Sequence, residues 1–542
     1  MTKVKKLGAL IPALTLAFGL AACSGGGGNG NSGSPSASTA PSTDAGGSSA
    51  SASASPSAST AIDTSKFVKI SYVILGDKPK NGQFEKVMAE VNKLMKEKIN
   101  AELEWKWVEW ADWQTKYNLL LASGDPVDLI TIGTDWLDTW GNAQRGAFMN
   151  LDDLLPKYAP ITWNSIPQEN WDQSKYKGKI VLIPEDAYTQ WVNHGFFYRG
   201  DWAKEAGITE PIKDWDGIEK YLQYIKDNKP DVVPWDVNPS DSTFGGWVNS
   251  YTQELELPIS TGWLPVFTAK SSDDPYTIVS PIFDDDSLLN YATKMKSWAD
   301  KGFWREDVLN FKGDTRTELK GGLTGMDQHH TQTFGGLRVE MDRNQPGSEL
   351  QMYPFARTSG NLLELSITHG GTSVGAHSKN PERALMAYDL IRNDEQIYRL
   401  LNYGIEGVQY EIKDGKRVLP ANYDQDKDSF YSDFWGGRND KLEIPSDTVW
   451  DQLPTTLYAE YDKIKKPYPY GQFVFDKTPV DAELTAISQV TGEMGPAIAF
   501  GKAGDPAKAV EAFKAKLKAA GYDKVKAELQ KQMDAYKQQM QG

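Results

Sequence analysis

The stretch KFVKISYVILG, residues 66–76, is rich in β-branched and aromatic residues and ends at a glycine, as buried β-strands do. An apolar stripe at spacings of three and four follows over residues 84–99 and predicts a helix. Alternating apolar and charged residues at 102–107 predict a second strand, residues 112–122 a second helix, and VDLITIG, residues 127–133, a third strand. This βαβαβ order predicts an α/β domain on a mostly parallel sheet.

Polar and aromatic side chains follow the carboxyl ends of these three strands. Asp77 follows the first strand, Glu109 and Trp110 the second, and Asp135 and Trp136 the third. Ligands of open α/β sheets bind in the crevice beyond these ends. We therefore expect Trp110 and Trp136 to face one crevice, with packing at the sheet edge as the alternative for either indole.

The aromatic content favours a carbohydrate ligand. All 18 tryptophans lie between Trp105 and Trp450, and they are joined by 24 tyrosines and 19 phenylalanines. That number is more than a core of this size needs. Flat amphipathic rings suit a ligand with apolar CH faces and polar edges, and sugars have that shape.

Charge and cysteine content exclude several functional classes. The chain has 542 residues, with 73 acidic against 58 basic side chains and a net charge of -15, which argues against binding to nucleic acid. At 39% apolar and 24% charged residues, its composition is that of an ordinary soluble globular protein. Cys23 is the only cysteine, so no intrachain disulfide can form.

The N-terminal segment has the pattern of an exported, lipid-modified protein. Lysines precede an apolar run over residues 7–20, which is typical of a signal peptide over residues 1–22. The run ends in LAAC, which resembles the bacterial lipoprotein signal, and this resemblance implies that Cys23 is acylated. Residues 23–65 then comprise the lipidated cysteine and a flexible tether rich in Ser, Gly and Ala. We expect an extracellular protein anchored to the outer face of the cell membrane, in a host with one membrane or two.

Several collinear segments of the body resemble one protein family. The extracellular solute-binding proteins of ABC importers, and in particular their long sugar-binding lipoproteins, contain segments similar to LASGDPVDLI (121–130), GKIVLIP (178–184), FYRGDWAKEAGI (197–208), SKNPERALMAYDLIRND (378–394) and FVFDKTPVDAELT (473–485). The resemblance implies an α/β, two-lobe, periplasmic-binding-protein-like (type II) fold, with discontinuous lobes, a hinge and extra C-terminal helices.

The resemblance also implies where the chain passes between lobes. We expect the first lobe to comprise residues 66–183 and 352–398, and the second to comprise residues 184–351 and 399–542, including packing helices that begin near Asp505. Closure of two lobes requires a ligand that contacts both of them, because a ligand shifts conformations only by its differential affinity. Further candidate contacts are therefore drawn from both lobes: Tyr188, Trp191 and Asn193 after the first crossing, His329 on a strand near 325–329, Trp247, Trp263 and Trp435 beside glycines, and Glu406 as a hydroxyl acceptor.

Enzymatic and metal-binding alternatives have weaker support. Residues 371–375, GTSVG, fit the nucleophile elbow of serine hydrolases, but the elbow requires a helix at Ser373, whereas the helical pattern starts near Pro381. A glycoside hydrolase needs a carboxylate pair, and none stands out by context. Asp424, Asp426 and Asp428 alternate but lack the glycine of a calcium loop, so we expect a solvated acidic loop and no cofactor, with a structural calcium site left open because some relatives bind calcium.

These observations predict a monomeric binding protein without chemistry of its own. It would capture an oligosaccharide outside the cell and deliver it to the permease of an ABC transporter. The energy would come from separate ATPase subunits, because the chain contains no P-loop lysine motif. Few basic residues among the candidates favour a neutral sugar. A surface glycoside hydrolase, another carbohydrate-active surface protein, and a peptide-binding protein of the same fold are the alternatives.

Overall fold

The predicted βαβαβ unit is present at the start of the folded body. In the computed structural model, strands Val68–Leu75, Ala101–Val108 and Leu129–Ile132 alternate with helices Gln83–Ile99 and Trp113–Ala122. The first strand pairs in parallel with both of the others, which confirms the predicted α/β sheet. The structure describes residues 62–110, 113–134, 136–186, 194–238, 243–364, 366–446 and 456–541, so Cys23, the signal peptide and nearly all of the tether lie outside the described residues.

Two strands from distant parts of the chain complete this sheet. Gly371–Val374 pairs antiparallel with Leu129–Ile132 on one side and with Ile183–Pro184 on the other. The chain thus leaves the first lobe just after Pro184 and returns at Gly371. Ser373 is therefore a buried strand residue whose hydroxyl donates to the carbonyl of Val181 at 2.9 Å, so it does not occupy a nucleophile elbow.

The first-lobe sheet is covered on both faces. Along strand Val68–Leu75, Tyr72 and Ile74 belong to one buried cluster, whereas Val73 and Leu75 belong to another. The first cluster packs beneath helices Gln83–Ile99, Pro381–Asn393 and Glu395–Tyr403. Burial on both faces explains the almost continuous apolar run in this strand. The other first-lobe elements are Thr139–Gln144, Leu155–Tyr158, Pro160–Ser165, Gln168–Gln173 and Gln425–Asp428 as helices, and Lys175–Tyr176, Lys179–Ile180, Glu411–Lys413 and Lys416–Val418 as strands.

A second lobe is built around strand His194–Arg199. Met326–His330 and Leu350–Pro354 flank it, and both pair with it antiparallel. A further antiparallel sheet contains Leu255–Glu256, Thr268–Ser271 and Asp274–Val279. The remaining elements of this lobe are α-helices Gly200–Glu205, Trp215–Asn228, Phe244–Tyr251, Ser287–Asp300, Thr315–Lys320, Thr331–Asn344, Ala356–Ser359 and Leu457–Tyr461, 3-10 helices Val308–Asn310 and Thr478–Val480, and the strand pair Leu362–Leu363 and Lys465–Lys466.

Three C-terminal helices pack on the second lobe. Asp481–Ala499, Pro506–Ala519 and Tyr522–Gln541 contribute to its large buried cluster. Asp505 caps the middle helix by accepting from the backbone N–H of Lys508 at 2.9 Å. Among the helices of the described residues, none is long and apolar enough to span a membrane.

The structure corrects two of the expected lobe boundaries. Strand Leu350–Pro354 pairs with His194–Arg199 over its whole length, so the return crossing falls after residue 363 and not at 352. Residues 399–446 stay with the first lobe, because Leu401 and Phe434 lie in its core, whereas Tyr458 and Tyr461 pack in the second. Short strands and loops have no hydrophobic period, and for this reason the sequence pattern did not locate these crossings.

Candidate functional site

A cleft of about 900 Å³ lies between the two lobes. Its first-lobe wall includes Trp113, Thr134 and Trp136, which lie at or just beyond the carboxyl end of the sheet. Its second-lobe wall includes His194 and Trp263. A ligand in this cleft would contact both lobes, which is the condition for ligand-driven closure.

Two tryptophans of the first-lobe wall, Trp113 and Trp136, form a cluster with Trp110 and Trp435, which lie beside the cleft without lining it. The rings of Trp136 and Trp435 are 5.4 Å apart and inclined by 19°, and those of Trp110 and Trp435 are 5.9 Å apart and inclined by 21°. Trp113 packs edge-on against Trp136 at 5.5 Å. Trp435 is thus near-parallel to both Trp110 and Trp136, which are inclined to each other by 37°, and these three rings are called the tryptophan platform below. All three were candidates from the sequence, whereas Trp113 was not.

Backbone contacts hold the platform in place. The backbone N–H of Trp110 donates to the Asp77 carboxylate at 3.2 Å, and the indole N–H of Trp136 donates to the backbone carbonyl of His369 at 2.8 Å. A side chain at Gly133 would lie 2.1 Å from the Trp136 indole nitrogen, so only glycine lets this ring fold back over the strand end. Trp110 is 42% exposed, so the platform is open to a ligand.

Carboxyl groups lie beside the platform and at the crossing between lobes. Burial, and next the negative charge of Asp77, raise the pKa of Asp433 to about 7. Burial likewise raises the pKa of Glu185 to about 7, against the positive charges of His369, Arg438 and Arg392. Both groups can accept hydrogen bonds from hydroxyls when ionised and can donate one when protonated.

Three histidines, His194, His329 and His330, pack together at the second-lobe wall. His194 lines the cleft, where the Gln328 amide donates to its Nδ1 at 2.8 Å. The His329 ring lies 5.4 Å from His194, and its Nδ1 shares a hydrogen bond with the Thr333 hydroxyl at 2.9 Å. Desolvation by neighbouring protein atoms, and next the charge of His369, lower the pKa of His194 to about 4, although this residue is exposed at the cleft. Burial lowers the pKa of His329 to about 3. These rings are therefore neutral at physiological pH, and it is His194 and Gln328 that face the cleft in place of the expected His329.

The other candidates are distributed between the cleft and other surfaces. Trp263 lines the cleft, and its backbone N–H donates to the Thr491 hydroxyl at 3.1 Å. Trp247 does not line it, because its ring packs 4.4 Å from Tyr251 in a separate surface cavity of about 740 Å³. Glu406 is exposed on a turn and is not among the described residues that line the cleft. Tyr188, Trp191 and Asn193 lie outside the described residues.

No metal centre is formed by the part of the chain that the structure describes. Within it, no group of three or more His, Cys, Asp and Glu side chains is arranged to hold an ion. In the acidic loop, Asp424 caps helix Gln425–Asp428 and pairs with Lys427 at 2.5 Å. The Asp424 carboxylate therefore has a structural role in this loop.

Two α/β lobes of discontinuous segments around a shared cleft define a type II solute-binding fold. Residues 78–309 match the family model of bacterial extracellular solute-binding proteins. Residues 469–538, which include the C-terminal helices, match a domain of unknown function (DUF3502).

Known relatives cover most of the chain. A carbohydrate ABC transporter substrate-binding protein of Streptococcus pneumoniae is 24% identical over 482 residues, which is 88% of this chain and 92% of that protein. Lipoprotein LipO of Bacillus subtilis is 22% identical over 60% of this chain and 64% of its own length. The crystal structure of the N-glycan transport solute-binding protein NgtS of Streptococcus pneumoniae, in complex with Man1GlcNAc, matches with a TM-score of 0.68 at 22% identity, over 86% of this chain and 99% of that one.

Proposed function

We propose that this protein captures an oligosaccharide in the cleft between its lobes and delivers it to the permease of an ABC transporter. The tryptophan platform at the first-lobe wall is the observation that carries this proposal. Trp110, which is 42% exposed, and Trp136, which lines the cleft, offer apolar indole surface beside carboxyl groups. A sugar ring presents the complementary surface, with CH groups on its face and hydroxyls at its edge.

Capture proceeds by closure of the lobes over the bound sugar. The platform would bind the sugar first, because its rings are already held together in the structure and lose little entropy on binding. Trp263, His194 and Gln328 on the second-lobe wall would then complete the site. Their contacts exist only when the lobes are closed, so they supply the differential affinity that shifts the protein toward the closed form.

The protein would act at the outer face of the cell membrane as a monomer. Acylation at Cys23 would anchor it, and the Ser- and Gly-rich tether would leave the body free to meet a permease. The likeness to Lipoprotein LipO supports this arrangement. The likeness to a carbohydrate ABC transporter substrate-binding protein supports the role in transport, with no chemistry on the sugar.

Ligand-induced stabilisation tests the proposal. The folded body, residues 63–542, forms one compact unit and can be heated with a panel of oligosaccharides and peptides. A ligand at about 100 times its Kd should stabilise the body by about 2.7 kcal/mol. We expect a shift with an oligosaccharide that is recovered intact. A shift with peptides alone would favour the peptide-binding alternative, and cleaved sugar would favour the hydrolase.

Ser373 provides a direct check on hydrolysis. Its hydroxyl is buried in the first-lobe sheet, so Ser373→Ala should leave any background esterase activity of a preparation unchanged. Esterase activity that is present in the wild type and lost in this variant would contradict the assignment as a binding protein.

A further inference from the structure

We infer that the cleft selects uncharged glycans and rejects acidic ones, because carboxylates from both lobes line it. This inference rests on the proposed function and narrows its ligand class. The charged side chains that line the cleft among the described residues are three carboxylates, Asp138, Glu254 and Glu256, and one ammonium group, Lys477. Asp77 and Asp433 add carboxyl groups next to the tryptophan platform.

Three arginines near the cleft already have partners. Arg145 pairs with Asp138 at 2.9 Å, so each offsets the charge of the other. Arg392 is buried and donates to the backbone carbonyls of Pro184 and Glu185 at 3.0 and 3.1 Å. Arg438 pairs with Asp440 at 2.6 Å. The sequence positions between the described ranges contain acids but no Lys, Arg or His, so they supply no further cation.

The placement of the carboxylates on opposite walls makes lobe closure the selective step. Asp77 and Asp433 belong to the first lobe, beside the tryptophan platform, whereas Glu254 and Glu256 belong to the second lobe and line the cleft. Closure over a sugar carboxylate would bring it close to protein carboxylates of both lobes in a site with little water. The repulsion between these negative charges would raise the free energy of the closed form. A sugar hydroxyl instead donates a hydrogen bond to a carboxylate, which can only accept when ionised. Neutral sugars therefore gain from closure, and acidic sugars lose.

Matched glycans that differ only in charge test this inference. Gluco- and mannooligosaccharides, with and without N-acetylglucosamine, are titrated into the full body before and after oxidation of their primary hydroxyls to carboxylates. Burial raises the pKa of Glu254 to about 7. The titrations are therefore made at pH 8, above this pKa, where Glu254 is ionised. We expect oxidation to weaken binding at least about tenfold, and higher salt to reduce this difference.

A charge reversal on the second-lobe wall sharpens the test. Glu256 is exposed at the end of a short strand, so Glu256→Lys should fold, and it should raise affinity for the oxidised glycans about tenfold relative to the neutral ones. Glu511→Lys is the matched control, because this side chain is 76% exposed on a C-terminal helix outside the cleft. The control should leave the ratio of the two affinities at its wild-type value.

The outcomes separate this inference from the proposed function. If acidic glycans bind as tightly as neutral ones or more tightly, or if Glu256→Lys leaves the ratio unchanged, the inference is wrong while glycan capture stands. If neither form of any glycan binds, the proposed function itself fails.

Discussion

The two walls of the cleft differ in the side chains that line them. The first-lobe wall is aromatic, and its indoles are fixed by strand ends and by backbone contacts such as that of Trp136 with the His369 carbonyl. The second-lobe wall is mixed: among the described residues it has one tryptophan, Trp263, and polar side chains such as His194, Gln328 and Glu254 lie between many aliphatic ones. This difference indicates that the first wall provides most of the affinity for the glycan, whereas the second wall drives lobe closure and selects among glycans.

Removal of a platform ring should have the largest effect on binding. Trp435→Ala or Trp136→Ala deletes a near-parallel stacking surface, and we expect each to weaken glycan binding by about 2 kcal/mol or more, about 30-fold. Isothermal titration of the body measures this loss. Thermal unfolding of the ligand-free variants separates it from a general loss of stability, and wild-type affinity in a folded Trp435→Ala variant would disprove the platform.

Substitutions on the second-lobe wall should have smaller effects of a different kind. Trp263→Ala and Gln328→Ala leave the platform intact, so we expect affinity to fall by about 1 kcal/mol while closure is impaired. Small-angle scattering with saturating glycan measures closure, and the variants should compact less than the wild type does. Full compaction in both variants would mean that this wall does not drive closure.

The parts of this comparison that could be predicted from the sequence follow from periodicity. Trp110 and Trp136 were candidates because parallel strands place the residues that follow them at one sheet edge, and the parallel pairing of these strands is confirmed. The assignment of Trp435 rested on its neighbouring glycine, since no local pattern brings residue 435 beside residue 136. Those three positions now form one cluster.

The parts that could not be predicted depend on tertiary contacts. Trp113 lies in a helix whose apolar residues resemble core positions, and His194 is the first residue of a strand whose role depends on its two partners. The helix Phe244–Tyr251 turns Gly245 and Gly246 toward the cleft and Trp247 away from it. Proximity to glycine was therefore an ambiguous signal, which failed at Trp247.

Titration of the carboxyl group beside the platform should affect stability. Burial and Asp77 raise the pKa of Asp433 to about 7 from its ordinary value of 3.8, so between these values the folded state binds a proton that the unfolded state has lost. Stability contributed by this proton is therefore present at acid pH and lost as the pH rises toward 7. Asp433→Asn should remove this loss, so urea midpoints at pH 5 and pH 8 should differ less in the variant than in the wild type.

A matched control accompanies this measurement. Glu511→Gln removes a carboxylate from an exposed helix position and should preserve the wild-type difference between the two pH values. An Asp433→Asn variant that keeps the full wild-type difference would contradict the raised pKa.

The smallest effect is expected at Trp247. Its ring packs on Tyr251 in a surface cavity apart from the cleft, so Trp247→Ala should change glycan affinity by less than about 0.5 kcal/mol. Isothermal titration calorimetry of the Trp247→Ala and Trp435→Ala variants with the same glycan compares the loss of affinity at two half-buried indoles. A loss as large as that of the platform variant would extend the binding site to the outer face of the second lobe.

Glycan capture without turnover is the central claim, and one measurement tests it most directly. The body is titrated calorimetrically with the oligosaccharide panel, and the glycan is then recovered and analysed. We predict saturable binding of at least one neutral oligosaccharide, recovered at its original length. Absence of binding by every glycan, or recovery of shortened products, would contradict the assignment of this cleft to the capture of sugars.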